Sequence, residues 1–258
     1  MKIVMIGSGN VASHLIKVLI ESGNHIVQVM GRSLENAGML AQKYNLPYTN
    51  SFAELDKEAD LYIISVSDDA IESVVNNLSF VNSAVVHTSG AASMDILKKL
   101  ECNYGVFYPL QTFSKNKEVD FRNIPVCLEA NNDEWMQSMK ILASSLSDKV
   151  FEVSSKERIL LHIAAVFACN FSNHMMAVAQ QLLGESQLSF ELISPLIKET
   201  FEKSILQGPL FSQTGPAIRN DQKTMMKHLE VLQNQPKLAE LYKLISENIY
   251  LLKNKDKF

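Results

Sequence analysis

The sequence predicts an α/β fold: a doubly wound, mostly parallel sheet over residues 1–153, followed by a smaller all-α C-terminal domain over residues 154–258. Three observations carry this. Apolar runs of strand length alternate with helix-period segments through the first 153 residues. The first of these runs ends in a glycine turn that leads straight into a helix, and no strand-like run remains beyond Ser154.

The opening stretch, Lys2-Ile3-Val4-Met5-Ile6-Gly7-Ser8-Gly9-Asn10-Val11-Ala12, organises the rest. Ile3 to Ile6 is the unbroken apolar kind of strand that is buried on both faces, and Val11, Leu15, Val18 and Leu19 recur at helix spacing directly after it. As a dinucleotide-binding turn, each small residue has its own steric task. Gly7 makes the tight turn, Gly9 lets the backbone approach a pyrophosphate, and Ala12 keeps the helix close to the strand, with Ser8, Asn10 and Val11 completing the cradle. The pyrophosphate would rest on free N–H groups at the positive end of the helix. The alternative is an ordinary tight turn between strand and helix.

Ile26 to Met30 reads as the second strand, and its end selects the cofactor. Where an NAD-binding chain places a carboxylate for the ribose 2′-hydroxyl, this one has Gly31-Arg32-Ser33. Arg32 offers a planar fork of donors for a 2′-phosphate and Ser33 adds a hydroxyl, so NADP is expected rather than NAD. Arg32 as a solvated loop residue is the alternative. Glu35 is the side chain that could serve NAD instead.

The alternation continues with a short helix over Ala37 to Tyr44, an edge strand over Pro47 to Thr49 and a strand over Leu61 to Val66. Ser67-Asp68-Asp69 then opens a helix carrying Ile71, Val74, Val75 and Leu78, where the carboxylates suit N-terminal capping better than ribose binding. Ala84 to His87 and Gly105 to Tyr108 are further strands. Ile124 to Leu128 and Val150 to Val153, with the helix Glu134 to Leu146 between them, extend one edge and bring the count to about eight strands. In such a sheet the ligand crevice lies beyond the carboxyl ends of the strands. This assigns Val66, Ser67 and Thr88 to the nucleotide and Ser89, Gly90 and Tyr108 to the substrate, and His87, closing its strand, could also reach the crevice.

Ser154-Ser155, followed by a helical run from Glu157, marks the domain junction. Helical periodicity covers Glu157–Leu183, Phe190–Gln207 and Pro236–Leu251, broken at Gly208-Pro209 and Thr214-Gly215-Pro216, and the tail Lys253 to Lys257 reads as frayed. Ile159 to Leu183 contains no Asp, Glu, Lys or Arg and is long enough to span a bilayer. Its seven interior polar residues, from His162 to Gln181, would be costly in hydrocarbon, so it is expected to be a helix buried on all sides by protein.

Polar residues inside such a helix are the candidates for chemistry. Ideal helix geometry puts Cys169 and Asn173 within about 20° of His162 and Asn170 about 80° away, with His162 and Asn170 separated by about 12 Å along the axis. On this reading His162 supplies the proton that hydride delivery to a carbonyl requires, Asn170 holds the reacting atom without titrating, and Asn173 contacts substrate. The alternative is a buried histidine bonded to backbone, with the asparagines packing between helices. In the second polar cluster, Thr214 or Gly215 caps a helix starting at Pro216. Arg219 and Asp221 are expected to form a local ion pair or a cap.

The net charge of -4 over 258 residues argues against a nucleic-acid partner. Cys102, Cys127 and Cys169 are neither a disulfide framework nor spaced as metal ligands, so no metal is expected. With a strand starting at once and no signal-peptide layout, the sequence reads as cytoplasmic.

Gly7-Ser8-Gly9-Asn10-Val11-Ala12 resembles the fingerprint of the pyrroline-5-carboxylate reductase and 6-phosphogluconate dehydrogenase-like superfamily, and that of deazaflavin-dependent NADP oxidoreductases. Four further features add to it: His87-Thr88-Ser89-Gly90, Tyr108-Pro109-Leu110-Gln111-Thr112-Phe113, the His162 to Asn170 helix, and Thr214-Gly215-Pro216 with Arg219 and Asp221. Together they are similar to a bacterial family that joins a Rossmann-like NADP-binding domain to a helical domain of unknown function. The resemblance covers nearly the whole chain and implies an NADP-linked reduction of a small molecule and a helical domain that dimerises. Two departures matter. No lysine occurs between Lys156 and Lys198, which argues against a β-hydroxyacid substrate, and Tyr108 stands where prephenate-type relatives carry histidine. The expected function is an NADP-dependent oxidoreductase acting on a small carbonyl or imine. A non-catalytic NADP(H) sensor and a deazaflavin:NADP oxidoreductase are the alternatives.

Overall fold

The computed structural model describes residues 1–78, 83–114 and 117–254. The frayed tail expected from Lys253 onward lies outside the described residues from 255, while Lys253 and Asn254 close the last helix.

The first strand, β1 (Lys2–Ile6), is buried from Ile3 onward because its alternate side chains enter two different cores. Ile3 and Met5 pack on one face of the sheet with Leu15, Ile16 and Leu19 of α1 (Asn10–Glu21). Val4 and Ile6 pack on the other face with Tyr62 and Ile64 of β4 (Leu61–Ile64) and Ile71, Val74 and Val75 of α3 (Asp68–Asn76). Each large aliphatic side chain sealed in this way stabilises the fold by about 1.5–3 kcal/mol. Two cores, one on each face, are what a doubly wound sheet requires, and this explains why the strand carries no polar position from Ile3 to Ile6.

All eight strands join one sheet in the order β3-β2-β1-β4-β5-β6-β7-β8. β2 (His25–Met30) is followed by α2 (Leu34–Gln42), and the edge strand β3 is only Tyr48–Thr49. β5 (Ala84–His87) and β6 (Tyr104–Pro109) complete the parallel part. β7 (Val126–Ala130) then runs antiparallel to β6, with Tyr108 opposite Cys127. After α4 (Asp133–Leu146), β8 (Val150–Glu152) pairs parallel to β7, so the last two strands extend one edge as expected. The chain reverses direction across the sheet between β1 and β4, the switch point at which this topology opens a crevice.

Ser154 opens the long helix with a capping box: its side chain accepts from the Glu157 N–H, and Glu157 accepts from the Ser154 N–H at 2.9 Å. These bonds hold the Glu157 carboxyl below its ordinary range. The helix runs as α5 (Ser155–Ala165), a π-helical turn (Val166–Phe171) and α6 (Ser172–Glu185). The chain forms two compact units, 1–173 and 174–258, so the first part of this helix belongs with the sheet.

The helix corrects two expectations. It is not buried on all sides within the chain: Leu160 is 66% and Phe167 65% exposed, and by length and composition alone it could cross a membrane. The absence of charge along the helix is not matched by burial within the chain. The π turn also inserts one residue into the repeat, which rotates everything beyond it by about 100° relative to ideal spacing. Asn173 therefore leaves the face it was expected to share with His162.

In the second unit α7 (Ser194–Gln207) leads into α8 (Pro209–Ser212), and α9 (Pro216–Arg219) starts at Pro216 behind Gly215 as expected. Asp221 caps α10 (Gln222–Val231), accepting from the Thr224 N–H and hydroxyl at 3.1 and 2.7 Å, which lowers its carboxyl pKa. The cap is formed and Asp221 makes no close ion pair with Arg219. α11 (Pro236–Asn254) ends the described chain.

His87, at the end of β5, is fully buried rather than in the crevice. Its Nδ1 accepts from the Ser89 N–H at 3.2 Å, and burial, with Arg158 nearby, pushes its pKa down from 6.5 to about 4. The unfolded chain therefore takes up this proton first, and stability present above pH 6.5 is lost as the pH falls toward 4. The loss is at most about 3 kcal/mol. Urea denaturation of His87→Asn should show a shallower decline between those pH values than the parent chain. Parallel declines would mean that His87 is not buried in its neutral form.

Candidate active site

A cavity of about 750 Å³ opens beyond the carboxyl ends of β1, β2, β4, β5 and β6. That volume is within the range of small-molecule and cofactor sites.

Its floor is the glycine turn. The Gly7 N–H donates to the Met30 carbonyl at 2.7 Å and the Ser65 N–H donates to the Ile6 carbonyl at 2.7 Å, so the three strand ends are tied together. Gly7 has φ +130°, and a β-carbon there would lie 1.9 Å from the Ser65 carbonyl oxygen. Gly9 is different. It caps α1 with no side-chain bond, and a β-carbon on it would meet nothing within 4 Å. The open N–H groups of the first helical turn therefore face free space, which suits an anion. Ala12 is fully buried, as close helix–strand packing requires.

Around this floor the structure gathers most of the expected nucleotide residues. Gly7, Ser8, Gly9, Asn10, Val11, Arg32, Val66, Ser67 and Thr88 all line the cavity. Asn10 is partly occupied, since its side-chain amide donates to the Phe113 carbonyl at 2.9 Å. Arg32 is exposed and makes no ion pair or side-chain hydrogen bond among the described residues, so its guanidinium is available. Ser33 does not line the cavity, and its hydroxyl oxygen caps α2 by accepting from the Asn36 N–H at 3.3 Å. Glu35 lies in the first turn of α2, away from the lining.

At the other end Ser89, Gly90, Tyr108 and His162 come together. The Tyr108 hydroxyl and His162 Nδ1 are 3.2 Å apart, with the two rings edge-on. Burial pushes the Tyr108 phenol up to about 12, so it keeps its proton throughout the physiological range. Gly90 makes room for the pair, since a β-carbon there would lie 2.7 Å from His162 Nδ1 and 2.8 Å from the Tyr108 hydroxyl. Ser89 has a structural task as well, its oxygen accepting from the Ala91 and Ala92 N–H groups at 3.1 and 2.9 Å. The expected partners Asn170 and Asn173 are not brought here: both are exposed, and neither lines the cavity. Asn170 lies inside the π turn and Asn173 just beyond it, where α-helical spacing no longer applies.

Sequence reasoning missed Asn50, Ser65 and Gln111 in the lining, and it missed the buried ion pair of Arg158 with Glu129. Arg158 had a signal: it is the last charge before the uncharged stretch and stands one helical turn before His162.

The comparisons with known proteins agree with this architecture. The family described as coenzyme F420-dependent NADP oxidoreductase matches residues 2–89, and a domain of unknown function, DUF2520, matches residues 124–249. A candidate NADP oxidoreductase of Bacteroides fragilis is 43% identical, with 96% of this chain and 97% of that one covered and a TM-score of 0.91. A 1-pyrroline-5-carboxylate reductase from Streptococcus pyogenes is 17% identical over 97% and 98% of the two chains, with a TM-score of 0.62. An imine reductase from a Pseudomonas species is 17% identical over 90% and 86%, with a TM-score of 0.64. These last two share the fold. No curated protein matches the sequence.

The two glycines of the turn should separate on substitution. Gly7→Ala is expected to cost about 3 kcal/mol or more, because backbone has to move. Gly9→Ala should melt like the parent chain and lose any thermal shift that a nicotinamide dinucleotide gives the parent. Equal stability of both variants would contradict the division of roles.

Proposed function

Because the chain belongs to the family that joins an NADP-oxidoreductase-type domain to a DUF2520 domain, we propose that it transfers a hydride between NADPH and a small carbonyl or imine substrate. The observation that carries this reading is the Tyr108 hydroxyl 3.2 Å from His162 Nδ1, in the same cavity as an uncapped glycine turn.

The nicotinamide cofactor supplies the hydride. When bound, its pyrophosphate would rest on the first turn of α1, and Arg32 would favour NADP by pairing with a 2′-phosphate. Reduction of a carbonyl or imine leaves an oxygen or nitrogen that needs a proton, which the Tyr108 hydroxyl donates. A His162 ring protonated on both nitrogens returns its Nδ1 proton to the phenolate along their hydrogen bond and is left as the neutral imidazole. Gly90 leaves the space in which the two rings meet. This gives Tyr108 the proton-donating role first read for His162 and makes His162 the group that resupplies it.

A second reading, hydride exchange between NADPH and a deazaflavin, is favoured by the match of residues 2–89 to the F420-dependent description. A deazaflavin absorbance change on mixing with NADPH and the protein would support it.

The exposed apolar side chains of the long helix, Leu160, Ile163, Phe167 and Phe171, are read as the contact of a homodimer. Sedimentation of Phe167→Asp as a monomer beside a dimeric parent supports this. A parent that is soluble only in detergent points to a membrane instead.

Arg32→Ala should weaken NADPH binding by about tenfold while leaving NADH unchanged, the loss of one charge-assisted pair. Tyr108→Phe should lower turnover by about 10²-fold with NADPH affinity preserved. Equal turnover in Tyr108→Phe would remove the phenol from the chemistry, and indifference of both nucleotides to Arg32→Ala would remove the 2′-phosphate contact.

A further inference from the structure

His162 is carried on a helix, whereas its partner Tyr108 is carried on the sheet, so the 3.2 Å contact between them depends on how firmly that helix is fixed. The fixing point is one turn earlier. Arg158 is 1% exposed, the last charge before the uncharged stretch, and it lies four residues before His162 on the same face. Its guanidinium pairs with the Glu129 carboxylate of β7 through Nη1, and through Nη2 it donates to the Ala92 carbonyl at 2.5 Å and to Ser155 Oγ at 3.2 Å.

Glu129 is used fully. Oε1 accepts from the Ser155 N–H at 2.9 Å, and Oε2 accepts from the Ser155 hydroxyl at 2.7 Å as well as from Arg158. The Ser155 oxygen in turn accepts from the Met94 N–H at 3.1 Å. One buried network therefore joins β7, the first turn of α5 and the segment after Gly90. Tyr108 stands in register opposite Cys127, two residues before Glu129 on the same strand. All three participants in the close approach, the phenol, the imidazole and the glycine between them, are referenced to this one ion pair.

We propose that Arg158, held by Glu129, is the positioning residue that sets the Tyr108–His162 contact. A buried ion pair is an expensive way to gain stability, since apolar replacements of similar size often do as well, but its fixed geometry suits it to setting register. The catalytic meaning of the contact rests on the reductase reading above. The positioning itself does not.

The test reads the contact without any substrate. The full chain carrying histidine labelled with ¹³C at Cε1 is titrated by NMR, and the midpoint of the His162 resonance is followed in a double-mutant cycle. In the parent, Tyr108→Phe should displace that midpoint. In Arg158→Lys, which keeps the charge and loses the fork, the same replacement should have less than about half the effect, because the partners are already apart. Equal displacement in both backgrounds overturns the proposal, as does a parent midpoint indifferent to Tyr108→Phe. If Arg158→Lys fails to fold, Glu129→Leu combined with Arg158→Met removes both charges at once and serves in its place. NADPH titrations of the same samples keep the two readings separate. Loss of coupling with intact NADPH binding supports positioning, and absence of NADPH binding from the parent sinks the reductase reading alone.

Discussion

The carbonyl oxygen of Ser65 occupies the place where any side chain at position 7 would begin. This contact of 1.9 Å to a hypothetical β-carbon is a constraint of backbone on backbone, and no rotamer can relieve it. It lets β1 and β4 run side by side to their ends, with the Ser65 N–H bonded to Ile6 and the Gly7 N–H to Met30. Because the strands end together, α1 starts at the switch point with its N–H groups unspent, and the cavity opens there. The two cores above and below the sheet then hold this arrangement in place.

At the far end of the cavity a second glycine has the same kind of task toward side chains. Gly90 admits the Tyr108 phenol and the His162 imidazole to one another, and Ser89, whose oxygen gathers the following N–H groups, fixes the turn on which Gly90 sits. The electrostatics are consistent with the division of labour. Burial keeps the phenol protonated, while the same protein interior keeps His87, a few residues from Ser89, neutral and removed from solvent. The histidine that meets the cavity is the one on the helix.

The sheet was legible in the sequence because its central parallel strands, β1 from Ile3 and β4, are buried on both faces and so are unbroken apolar runs. The glycine turn was legible as well, since Gly7 sits where only glycine fits and Gly9 leaves open space at the start of the helix. Ser33 was misjudged because a hydroxyl at a strand end and a hydroxyl at a helix cap look alike until the next turn is built. Asn170 and Asn173 were misplaced because one inserted residue in a π turn carries no compositional mark, yet it rotates all that follows. The exposure of the long helix could not be read either, since its absence of charge is not matched by burial within the chain.

In the proposed function one cavity would hold the nucleotide at Gly9 and Arg32 and present the reacting end of the cofactor to Tyr108. A crystal structure of the protein with NADP⁺ tests this most directly. The predicted result is the pyrophosphate on the first turn of α1, the 2′-phosphate against Arg32, and the nicotinamide ring at the end of the cavity beside Tyr108 and His162. A nucleotide bound with its adenine beside Tyr108 and His162, or bound away from the glycine turn, would contradict it.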